Sequence, residues 1–187
     1  MIGLLAMAAA SGPSFDCARA RTKIERAICA DAELALLDRE EARLYRLALA
    51  GPAQDRNGLI ARQRQFLRDR DQCVEEETTD TVPQCVRDAY LGDIADLRRL
   101  AGFGGDAGGI SSGPIQFTCD GGFPDAFVTT FKLTPAQAYI SMPSTHEGQP
   151  LVATPGSARL TGRYDTGMTY DGGDRLQIDA RICVAKR

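Results

Sequence analysis

Tryptophan is absent from this 187-residue chain, and there is one histidine, His146. A Ser-His-Asp triad or a multi-histidine metal centre therefore has almost nothing to build on. No apolar run reaches the roughly 20 residues that cross a bilayer as a helix, which excludes a helical channel or transporter. Positive charge is short as well: 22 Lys and Arg face 25 Asp and Glu, for a net charge of −3. That balance argues against nucleic acid as the main partner. Three motifs are missing. There is no Cys-x-x-Cys pair for zinc, no Gly-x-Ser-x-Gly nucleophile elbow, and no Lys-Ser/Thr to turn a glycine run into a phosphate loop.

What the chain does have is six cysteines, Cys17, Cys29, Cys73, Cys85, Cys119 and Cys183. An even count without metal-ligand spacing reads as a disulfide framework in an oxidising compartment. Residues 1–13 read as a signal-peptide remnant or a disordered N-terminus. Ile2 to Ala10 is apolar, and Ala6-Met7-Ala8 and Ala8-Ala9-Ala10 are small-residue cleavage patterns. A periplasmic or secreted bacterial product is expected.

Composition splits the rest. Residues 14–101 are rich in Arg, Glu, Asp, Leu and Ala, which favour helix. Residues 115–187 are rich in Gly, Thr, Tyr, Phe and Pro, which suit strands and turns. Residues 102–114 are glycine-rich and read as a flexible linker. The expected fold class is α+β as two separate domains, a disulfide-stapled helical bundle followed by an antiparallel β domain.

In the first half, Thr22-Lys23-Ile24-Glu25 is a capping box that starts a helix. Asp31 caps the next, whose apolar stripe is Leu34, Leu37, Leu44 and Leu47. Leu59, Ile60, Phe66, Leu67, Cys73 and Val74 predict one face of a third helix. Pro83 opens a fourth that carries Val86, Tyr90, Ile94, Leu97 and Ala101. Cys17 to Cys29 and Cys73 to Cys85 share one spacing, which favours two local pairs. The crossed pairing Cys17–Cys85 with Cys29–Cys73 stays open. In the second half, Cys119 on the first strand and Cys183 on the last would tie the ends together. Asp165 to Asp174 is acidic and turn-like but lacks the alternate ligands of a calcium loop, so hairpins are expected there.

Two resemblances emerge. Ser14-Phe15-Asp16-Cys17, Ile24-Glu25-Arg26-Ala27-Ile28-Cys29, Leu37-Asp38, Tyr45, Gln63-Arg64-Gln65-Phe66-Leu67 and Cys85-Val86-Arg87-Asp88-Ala89-Tyr90 resemble the LprI-type lysozyme-inhibitor domain. Phe117-Thr118-Cys119-Asp120-Gly121-Gly122 and Ile182-Cys183 are similar to the MliC-type inhibitors of c-type lysozyme. The second resemblance implies a small β-barrel with its ends joined by a disulfide. It also implies a Ser-Gly-x-x-Tyr loop and a Lys-Gly turn that enter the lysozyme cleft.

Here Thr161-Gly162-Arg163-Tyr164 is the nearest match to that loop, and Ser157 is a second hydroxyl candidate. The expected lysine is missing near Tyr170-Asp171-Gly172, so Arg163 or Arg175 would supply the cation. The expected partner-binding set is Ser157, Thr161, Arg163, Tyr164, Tyr170 and Arg175. The expected function is an exported, monomeric lysozyme-binding protein that occludes the substrate cleft. It would need no metal or cofactor and would not be an enzyme. A non-inhibitory envelope module binding a glycan or protein is the alternative, and a cell-wall hydrolase a remote one.

Overall fold

A computed structural model describes residues 12–51, 55–74, 81–154, 156–157, 159–163 and 167–186. The helical half holds α1 (Lys23–Ala30), α2 (Ala32–Ala50), α3 (Arg56–Asp71) and α4 (Val82–Leu100). The expected starts are in place. The Thr22 hydroxyl accepts from the Glu25 amide, and the Glu25 carboxylate accepts from the Thr22 amide in return. Asp31 accepts from the amides of Glu33 and Leu34. Each cap satisfies amides that the first turn leaves unpaired and is worth ~1 kcal/mol. The stripes converge: Ile24, Ile28, Leu34, Leu37, Leu44, Phe66, Val86, Tyr90, Ile94 and Leu97 form one core. Leu47 and Leu67, expected in it, are exposed instead.

The second half is a closed antiparallel barrel of eight strands in sequence order. They are β1 (Ser111–Cys119), β2 (Ala126–Phe131), β3 (Gln137–Met142), β4 (Glu147–Ala153), β5 (Leu160–Gly162), β6 (Met168–Tyr170), β7 (Arg175–Ile178) and β8 (Arg181–Ala185). Closure leaves no sheet edge exposed. Successive side chains alternate faces, so one set fills the interior. Phe117, Val128, Ile140, Leu151, Leu160, Tyr170, Leu176 and Cys183 belong to that inner set. The end of the chain is a hairpin of β7 and β8, with Asp179 at its turn in the left-handed region at φ 52°. Asp tolerates that conformation without glycine.

All three disulfides form. Cys17–Cys29 and Cys73–Cys85 are the local pairs, and Cys119–Cys183 joins β1 to β8. Cys119 and Cys183 face each other in register across the strand pair that closes the barrel. Three disulfides fit an oxidising compartment. Among the described residues, no helix is long and apolar enough to cross a membrane.

The bundle packs on the outer face of β2–β4. Phe131, Leu133 and Tyr139, which stand on that face or beside it, join the helical core rather than the barrel's own. Tyr139 lies against Gly92 of α4, where a Cβ would come within 3.2 Å of the phenol ring. Gln137 donates to Glu33 of α2 at 3.0 Å.

Residues 102–114, expected to be a flexible linker, are instead a packed joint. The Arg98 guanidinium is fully buried. It donates to the Phe103 carbonyl at 2.7 Å, the Gly113 carbonyl at 3.0 Å, the Asp106 carbonyl at 2.9 Å and the Ser111 hydroxyl at 2.7 Å. The Ser111 hydroxyl donates in turn to the buried Glu40 carboxylate. One arginine thus satisfies the carbonyls of a segment whose glycines carry no side chains to anchor it. β1 accordingly begins at Ser111 rather than at Ile115.

Candidate functional site

The bundle covers one side of the barrel, so the residues able to meet a partner are those on the uncovered side. Strand parity defines that face. Tyr170 points inward, hence Thr169 points outward. The register aligns Thr161, Thr169, Gln177 and Ile182 in one row across β5–β8. A second row sets Arg175 beside Val184 and Val184 beside Thr118. Ile182 and Val184 are 42% and 56% exposed, unusual for large apolar side chains on a strand. Arg159, Thr169, Asp171, Arg175, Gln177 and Ile182 border a shallow depression of about 210 Å³ on this face. Neither Arg159 nor Arg175 has an ion-pair partner among the described residues. The Asp171 carboxylate is turned to backbone, accepting from the Gly173 amide at 2.8 Å.

The six expected partner residues separate. Ser157, Thr161 and Arg175 lie on or beside the free face. The Ser157 hydroxyl accepts from the Arg159 amide at 3.0 Å, which ties Ser157 to the residue that borders the depression. Tyr164 lies outside the described residues. Two expectations are corrected. Tyr170 is 1% exposed, its ring edge-on to Phe117 at 5.9 Å inside the barrel, so it cannot touch a partner. Arg163 is spent on the joint: its guanidinium pairs with Asp88 of α4, and both side chains are largely buried. The cation left on the free face is Arg175, joined by Arg159, which the expected set had omitted. The signal available in the sequence was the spacing Ser157-x-Arg159, a turn hydroxyl two residues before a cation.

A second depression, about 340 Å³, lies where α4 meets the β3–β4 hairpin. Gly92, Asp96, Arg99, Tyr139, Ser141, Pro143, His146, Glu147 and Gly148 line it. His146 sits in the hairpin turn at φ 58° and is exposed. Burial first, then the nearby Asp96 and Asp88 carboxylates, pushes the Tyr139 phenol up to about 12. It therefore stays a neutral hydroxyl at physiological pH.

The bundle keeps its own polar layer. The Tyr90 hydroxyl donates to Asp38 at 2.8 Å and accepts from Arg70 at 3.0 Å. Beside this chain lie two carboxyls with raised affinity for protons. Burial pushes Glu41 up to about 8, with the negative charges of Asp93 and Asp38 adding to it. Burial pushes Asp93 up to about 6 against the pull of Arg62, whose Nη1 lies 2.7 Å from Asp93 Oδ1. Among the described residues, no group of three or more His, Cys, Asp and Glu side chains is placed to hold a metal ion.

No family model, no curated protein and no solved structure matches this chain.

Proposed function

We propose that this protein is an exported inhibitor that lays the free face of its barrel over the substrate cleft of c-type lysozyme. One observation carries the reading: Arg159 and Arg175 border one depression on the uncovered face, and neither has an ion-pair partner among the described residues. A lysozyme cleft holds two catalytic carboxylates. Guanidiniums facing them make charge-assisted hydrogen bonds, and Thr161, Thr169 and Ser157 add hydroxyls around the same spot. Ile182 and Val184 supply apolar area that a partner would cover. Inhibition by occlusion needs no cofactor and no turnover. The disulfides suit the periplasm or the extracellular space, where such a target is met. A net charge of −3 gives weak steering toward a cationic enzyme.

The test is lysis of bacterial cell walls by c-type lysozyme with the oxidised full chain added. Near-stoichiometric inhibition is expected. Arg159→Glu with Arg175→Glu should weaken it at least tenfold, on the order of 1.4 kcal/mol. Undiminished inhibition by the double variant would remove this face from the interaction. No inhibition and no complex on a sizing column would end the lysozyme reading. The second reading, a module that binds an envelope glycan, draws on the 340 Å³ depression, where Asp96, Arg99, Ser141 and Glu147 mix donors with acceptors.

A further inference from the structure

The helical half has an opening that the barrel reading does not use. A pocket of about 390 Å³ lies among α1, α2, α3 and the segment before α1. Phe15, Tyr45 and Leu67 form its apolar walls; Asp38, Glu41, Gln63 and Arg70 form its polar floor.

Two atoms of that floor are out of balance. Glu41 is 4% exposed, and among the described residues its Oε1 has no hydrogen-bond partner. The Oε1 of Gln63, also buried, has none there either. Both are acceptors. The Gln63 amide group offers the Glu41 carboxyl one hydrogen bond, and the other neighbours are engaged elsewhere. Asp38 is committed to the Ser14 amide and the Tyr90 hydroxyl. Arg70 is committed to Asp71 and Tyr90. Arg62 is drawn to Asp93 and Asp96. Arg46 turns back to the Ala42 carbonyl at 3.1 Å. Glu25 serves the cap of α1. No cation is paired with Glu41 among the described residues. Buried acceptors left unpaired are costly, and an unpaired buried carboxylate more so.

We propose that this pocket is a binding site for a cationic nitrogen group, an ammonium or guanidinium, held by Glu41 and Gln63. A group with several N–H donors can serve both acceptors, and its positive charge pairs with the Glu41 carboxylate once the proton that otherwise occupies it has left. The aromatic ring of Tyr45 and the alkyl and phenyl walls suit a guanidinium or ammonium on an apolar stem. The cation competes with a proton for Glu41. The groups facing that carboxyl are Asp38 on α2, Gln63 and Arg62 on α3, and Asp93 on α4. Their balance holds a proton on Glu41 at neutral pH, so cation entry expels it. This inference is independent of the lysozyme reading.

The experiment titrates the oxidised full chain with N-acetyl-arginine amide, whose one charge is the guanidinium. Calorimetry is run in two buffers of different ionisation enthalpy between pH 6 and 9. Expected are release of close to one proton per site at pH 7, and affinity rising toward tenfold per pH unit below about 8. Glu41→Gln, which keeps the shape, should weaken binding tenfold or more and abolish the pH dependence. Gln63→Met should weaken it with the pH dependence intact. Saturation without proton release, an unchanged Glu41→Gln affinity, or no binding at 10-millimolar probe would each overturn the site. Lysozyme titrated into the Glu41→Gln chain then identifies the source. A lost complex assigns the pocket to a side chain of the partner, and an unchanged one assigns it to a free small cation.

Discussion

Among the described residues, the charged side chains that are buried are Asp38, Glu40, Glu41, Arg70, Asp93 and Arg98, all from the helical half. The barrel's buried polar residues are Ser111, Thr129, Gln137, Ser141 and Gln149; the first four face the bundle, Gln149 alone is paired with the interior at Ile140, and the inner core is apolar. The contrast follows from geometry. A strand sorts its residues into two faces at every step, and ladder bonds satisfy the backbone, so the barrel interior has no use for charge. A helix of this bundle meets neighbours on two or three sides. The flanks of its apolar stripe then become interior too, and they carry Asp, Glu and Arg. The Asp38–Tyr90–Arg70 chain and the Glu40–Ser111–Arg98 chain are those flanks, paired off. Directional contacts of this kind fix how helices dock, while the barrel is fixed by register and one disulfide.

That contrast can be broken at several points. Removing the Cys119–Cys183 bridge by double Ala substitution should cost about 4 kcal/mol in the loop-entropy model, because it closes the longest loop. Denaturant unfolding of the oxidised proteins measures it, and a cost below that of removing Cys17–Cys29 would show that the barrel closes without its staple. Arg98→Met should cost about 3 kcal/mol, since the Ser111 hydroxyl and the carbonyls of Phe103, Asp106, Ser111 and Gly113 lose their donor inside the protein. The same substitution then sharpens the comparison in the two cores. Tyr90→Phe should cost about 2 kcal/mol by leaving Asp38 and Arg70 short of a partner. Tyr170→Phe should cost under about 0.5 kcal/mol, because its hydroxyl has no partner among the described residues. Equal costs would refute the contrast.

The pH response carries the same asymmetry. Glu41, near 8, and Asp93, near 6, hold their protons more tightly in the folded chain than carboxyls do in an unfolded one. The folded state therefore binds more protons, and these two groups lower stability as pH rises from about 4 to about 8. Glu41→Gln should flatten the slope between pH 5 and 8 by up to about 1.4 kcal/mol per pH unit, read from thermal midpoints or urea curves. A slope that is unchanged would mean Glu41 is already ionised in the fold.

Much of this was legible in the residues. The Thr22–Glu25 box, the Asp31 cap and the shared cysteine spacing are local signals, and each is in place. Tyr170 was not legible, because a three-residue strand offers no alternation long enough to set its face. Arg163 was not either, since its partner Asp88 lies 75 residues away on α4. The glycine run from Gly102 misled for a related reason. Composition describes the segment itself, whereas its order comes from Arg98, a residue inside the preceding helix. Arg159 was within reach but looked like any surface cation.

The joint has a consequence for how such a chain can be rearranged. Arg98 with Ser111, Glu33 with Gln137, and Asp88 with Arg163 are each split across the boundary between the two halves. A bundle transplanted onto a different barrel would arrive with buried charges addressed to residues that are not there. Cutting the chain after α4 would leave Tyr139 and Phe131 facing water on one piece and Arg98 without its carbonyls on the other. Modular exchange at this boundary is thus penalised, and changes on one side are expected to be accepted only with matching changes on the other. The portable unit is the joined pair, although the composition of its halves suggests two parts on a string.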